Sequence, residues 1–168
     1  MFQRLKVFLA SSLGKKTVMS ITGLLLVGFL VAHLAGNLLI FLDEDGAAFD
    51  AYADTLRSNK AFLYTAEVGL IVLFWAHMYL AFRTAIDNRE ARSRPYAIRQ
   101  SKGERTVASS SMFVTGAIVL AFLIIHLLDF RLNESAETEL ALAVKQRLAS
   151  PLGASLYPVG AVALRVHL

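Results

Sequence analysis

The chain has 168 residues, of which 56% are hydrophobic and 18% charged, with a formal charge of +4, four histidines and no cysteine. Average globular chains carry about 25% charged residues, and the missing thiol excludes disulfides, covalently attached haem c, thiolate-held iron–sulfur clusters and cysteine zinc sites. In a soluble protein the positive charge would suggest nucleic acid; here it lies between long uncharged blocks, where it reads as an orientation signal and no nucleic-acid partner is expected.

Met1–Leu13 is basic with Phe2, Leu5, Phe8 and Leu9 interleaved, which predicts a short helix lying on the inner membrane surface. The run that follows is too long for the apolar core of a cleaved signal. Thr17–Leu42 has 26 residues without a charge, Ala61–Phe82 is broken only by Glu67, Thr106–Leu128 has 23 uncharged residues, and Leu148–Leu168 is broken only by Arg165. A helix needs roughly 20 residues to cross a hydrocarbon core ~30 Å thick. The runs do not alternate as barrel strands do, so each is read as a helix that satisfies its own backbone. The expected fold is an all-α membrane protein, one transmembrane bundle over 1–168 with spans at about 17–42, 61–82, 106–130 and 150–168. No internal repeat, low-complexity stretch, phosphate-binding loop or nucleotide fingerprint stands out, and Gly23 and Gly36 lack such a context.

Orientation follows from the basic residues. The N-terminal segment and the loop Arg83–Arg105 hold eleven, among them Lys15, Lys16, Arg83, Arg89, Arg92, Arg94, Arg99, Lys102 and Arg105; the other two loops hold five. That excess places the N-terminus and the long basic loop in the cytoplasm.

His33, His77, His126 and His167 are all the histidines, one per apolar segment. Ionisable groups in a bilayer are costly and usually face a partner inside the bundle. Counted along their helices, His33 and His126 fall toward the outer side and His77 and His167 toward the inner side. Two histidines on facing helices at one depth suit a bis-imidazole haem, with a porphyrin filling the interior between them. Zinc or copper would want three or four ligands converging at one depth. Glu67 is read as bonded to a neighbour at the outer interface rather than as a proton carrier, and Arg165 either pairs with a haem propionate or snorkels.

Gly14-Lys15-Lys16-Thr17-Val18-Met19-Ser20-Ile21-Thr22-Gly23 followed by His33-Leu34-Ala35-Gly36-Asn37-Leu38 resembles the first helix of the two-haem cytochrome b anchor of succinate:quinone oxidoreductases, which include quinol:fumarate reductases. The resemblance continues through His77, Asn88-Arg89-Glu90-Ala91-Arg92 with Pro95-Tyr96, and Met112-Phe113-Val114-Thr115-Gly116 leading to His126-Leu127. It implies His33 and His126 on a haem distal to the soluble subunits and His77 and His167 on a proximal one. It further implies a flavoprotein and an iron–sulfur subunit as partners, menaquinone or ubiquinone as substrate, and a multi-pass place in the bacterial inner membrane. This chain would be the non-dehydrogenase subunit of respiratory complex II, with no succinate chemistry of its own. Arg83 and then Lys16 are the expected propionate partners, and the resemblance points to Asp50 or Asp54 for quinone. The family has five spans where four are visible here, so the chain is expected to be truncated at its C-terminus. Two other readings stay open: the dihaem anchor of another respiratory oxidoreductase, and a haem-free membrane assembly or interaction protein.

Overall fold

The computed structural model describes residues 2–90, 107–133 and 139–168, and every regular element among them is a helix. Ala91, Arg92, Arg94, Pro95, Tyr96, Arg99, Lys102 and Arg105 lie outside the described residues. The expected surface segment is helix α1 (Phe2–Ala10), with every residue exposed. It stops at Ser11, whose hydroxyl accepts from the Gly14 amide at 3.0 Å and caps α2 (Ser12–Asn37). Such a cap satisfies one of the amides that a helix start leaves orphaned. Helix α2 tightens into a 3-10 turn at Leu38–Phe41. Then come α3 (Ala47–Ser58) and α4 (Lys60–Glu90), the latter started by Asn59, whose side chain accepts from the Phe62 amide at 3.1 Å. Helix α5 (Val107–His126) runs into a π turn at Leu127–Arg131, and α6 (Leu140–Ala149) and α7 (Pro151–His167) complete the order. Ser150 caps α7 through the Gly153 amide at 3.1 Å, and Pro151 fits the first turn because its missing N–H would be orphaned there anyway.

Among the described residues, three helical stretches are long and apolar enough to cross a membrane: Ser12–Phe41 with 30 residues, Lys60–Glu90 with 31 and Ser111–Arg131 with 21. Their large apolar side chains point outward, Leu24 being 71% and Phe113 66% exposed, as lipid-facing surface requires. The fourth expected span corresponds to helix α7, whose 17 residues extend about 25 Å at 1.5 Å per residue. The segments read as outer loops are also largely helical. In α3 the side chains of Phe49 and Ala53 are buried, one turn apart on one face. Asp43 prepares this helix by accepting from the amides of Gly46, Ala47 and Ala48. Gly46 makes the turn possible with φ +85°, where a side chain is strained.

The helices fall into two units: α1, α2 and α4 in one, and α5, α6 and α7 with Leu39–Ala53 in the other. In the first, α2 packs along α4 and α1 contacts α2. The Lys15 ammonium meets Asp87 at 2.5 Å, and Arg83 reaches the other oxygen of that carboxylate at 3.5 Å. In the second unit α5 packs along α7. A Cβ added at Gly160 would stand 2.4 Å from the Phe122 ring, so glycine there sets how closely these helices approach. Beyond the end of α5, one oxygen of Asp129 accepts from Arg147 at 2.6 Å and from the Tyr157 hydroxyl at 2.9 Å.

Gly160→Ala should therefore cost about 1–3 kcal/mol through overpacking, read as a lower unfolding temperature in detergent. Gly28→Ala and Gly69→Ala, with nothing within 4 Å of the added carbon, should not lower it. Equal behaviour of the three variants would contradict the packing account. The Asp43 carboxyl is held below its ordinary value chiefly by the Ala48 amide, with the Gly46 and Ala47 amides and the Lys145 charge adding to the effect. Its contribution to α3 is thus present above the ordinary carboxylate range and is lost as pH falls through the lowered value. Amide exchange at Ala47 and Ala48 should speed up over that acidic window, and Asp43→Ala should show the fast exchange already at neutral pH.

Candidate functional site

The histidines occupy matching places in the two units. In the first, α4 carries His77 against α2: its Nδ1 lies 3.2 Å from the Thr22 hydroxyl and 3.2 Å from the Met19 carbonyl. In the second, α7 carries His167 against α5, with Nδ1 3.1 Å from the Thr115 hydroxyl. The glycine after each threonine opens the space. A Cβ on Gly23 would stand 3.2 Å from His77 Cε1, and one on Gly116 would stand 3.1 Å from His167 Cε1. The remaining two histidines match as well. His33 stacks on Phe29 with ring centres 5.4 Å apart, and His126 stacks on Phe122 at 5.9 Å. His126 is also met edge-on by Phe130 and Tyr157. All four imidazoles are half-buried.

These correspondences expose a repeat that inspection of the chain did not pick out. Met19-Ser20-Ile21-Thr22-Gly23 through Phe29-Leu30 to His33 aligns with Met112-Phe113-Val114-Thr115-Gly116 through Phe122-Leu123 to His126, with Met, Thr, Gly, Phe, Leu and His identical. Each copy is followed by a shorter helix (α3 or α6) and then by a helix bearing the second histidine (α4 or α7). The signal lies in six identities spread over a helix, and the apolar positions between them interchange freely because lipid accepts any of them.

Both expected haem pairs, His33 with His126 and His77 with His167, take one histidine from each unit and equivalent positions of the repeat. Arg83 is engaged with Asp87, and its neighbour in that ion pair is Lys15; Lys16 is exposed on α2. Asp50 has a structural task, accepting from the Ala141 amide at 2.9 Å in the first turn of α6. Asp54 is 73% exposed and pairs with Arg57 at 3.2 Å. Glu67 is half-buried and Arg165 exposed.

No protein-family model matches the chain, and no curated protein or solved structure matches it.

Gly23→Ala and Gly116→Ala should each displace one imidazole by a few tenths of an ångström, seen as changed side-chain resonances of His77 in the first variant and of His167 in the second. Gly28→Ala, one turn farther along α2 with open space around it, serves as the control, and its histidine signals should match those of the wild type. Unmoved signals in both glycine variants would refute the close approach.

Proposed function

We propose that this chain is the membrane-anchor cytochrome b subunit of a succinate dehydrogenase or fumarate reductase, passing electrons between the complex's iron–sulfur subunit and the quinone pool. The observation that carries the proposal is the duplicated set of intramembrane histidines, each copy pairing one imidazole with a threonine and a glycine and stacking the other on a phenylalanine. Two b haems, when bound, would supply the one-electron carriers.

The chain's own part is to hold and orient. Two copies of one helix pair offer equivalent histidines that would hold the groups. His33 and His126 are proposed for the distal group, His77 and His167 for the proximal one. Gly23 and Gly116 leave room beside the proximal imidazoles, and the Phe29 and Phe122 rings brace the distal ones. Arg83 and Lys16 remain the proposed propionate partners, with Asp87 holding Arg83 in reserve until a propionate competes for it. The basic excess around α1 and the end of α4 supports a cytoplasmic N-terminus in a bacterial inner membrane, the side from which flavoprotein and iron–sulfur partners would dock. The lack of cysteine agrees with iron–sulfur clusters residing in a partner chain.

A pyridine haemochrome assay on the purified complex should find two haems b per copy of this chain. His33→Tyr should remove one and leave the other spectrally intact. One haem or none in the wild type, or both haems retained in the variant, overturns the assignment.

A further inference from the structure

Thr22 and Thr115 are the two buried polar side chains among the described residues, 7% and 8% exposed. They stand at equivalent positions of the repeat, and each faces the Nδ1 of one histidine. We infer that Thr22 and Thr115 are positioning residues that keep His77 and His167 in the Nδ1-protonated tautomer, so that Nε2 is the nitrogen presented to iron; the functional part of this inference rests on the haem reading proposed above.

The proton positions follow from what each group can donate. A hydroxyl has a single proton, and a carbonyl can only accept. The Thr22 hydroxyl lies 2.9 Å from the Met19 carbonyl, which takes its proton. His77 Nδ1 must then be the donor to Thr22, and its 3.2 Å contact with the same carbonyl demands a donor as well. Thr115 repeats the hydroxyl contact with the backbone and the histidine. Its hydroxyl lies 3.0 Å from the Ser111 carbonyl and 3.3 Å from that of Met112, so its proton is spent on the backbone and His167 Nδ1 donates at 3.1 Å. A neutral imidazole protonated at Nδ1 has its lone pair at Nε2. An acceptor on the far nitrogen also fixes the ring orientation and makes the ligating nitrogen more basic, and losing such an acceptor typically costs about 10–100-fold in metal affinity. Packing alone would need none of this: valine has nearly the shape of threonine and would fill the same place.

The test uses the intact complex with Thr22→Val, Thr115→Val and the corresponding serine variants. Both valine variants should raise the midpoint potential of the same haem, since a less basic ligand stabilises ferric iron less, and should weaken its retention about tenfold or more. The other haem should keep its potential, and serine should restore the first. Wild-type protein carrying nitrogen-15 histidine, reduced so that the iron is diamagnetic, should show solvent-protected Nδ1 protons on His77 and His167. That measurement needs no variant and holds even where a valine variant fails to fold. Two retained haems with unchanged potentials in both valine variants, or no protected Nδ1 proton on either histidine, overturns the positioning role and leaves the haem reading intact. A wild-type complex without haem overturns the haem reading first, and the functional part of this one with it.

Discussion

An imidazole N–H in hydrocarbon needs an acceptor, and a helix offers few because its carbonyls are already engaged in the i to i−4 ladder. Threonine resolves this in both units. Its hydroxyl donates to a carbonyl of the preceding turn, at 2.9 Å for Thr22 and 3.0 Å for Thr115, and thereby turns its oxygen toward the histidine of the neighbouring helix. The pairing of α2 with α4 and of α5 with α7 depends on this contact for its register, since most of the remaining interface is apolar and apolar contact is non-directional. Within a membrane the hydrophobic effect gives little force between helices, and close approach at small residues takes its place. Gly23 and Gly116 are the small residues at the imidazoles, and Gly160 is the one beneath Phe122.

The ion pairs of both units lie away from these contacts. Asp87 gathers Lys15 and Arg83 ten residues past His77, and Asp129 gathers Arg147 and Tyr157 just past the end of α5. Burying an ion pair costs desolvation that the pairing repays only with good geometry. Placing both carboxylates toward helix ends reduces that cost and still fastens two elements together at each site.

The helical class and three long apolar helices were legible because a run of more than 20 residues with at most one charge has few other outcomes. The helices at Ala47–Ser58 and Leu140–Ala149 were not, since Asp50, Asp54 and Lys145 read as loop charges when the buried positions Phe49, Ala53 and Ala141 are not yet known to face a neighbour. At the site, the four histidines stood out as the rare polar groups of apolar segments. Their threonine partners did not, because threonine is common in membrane helices, where its hydroxyl can simply bond back to its own backbone. Only the packing of α4 on α2 and of α7 on α5 shows that Thr22 and Thr115 do both.

The repeat gives the two units equivalent histidines, and the differences between them lie in what surrounds those side chains. The clearest begins at the π turn. By adding a residue to the turn after His126, it carries Asp129 to Arg147 and Tyr157 and sets Phe130 and the Tyr157 ring edge-on to the imidazole. In the first copy the helix continues regularly from His33 to Asn37 before tightening at Leu38. The departure from the repeat at Leu127–Arg131 is therefore where the surroundings of His126 come to differ from those of His33.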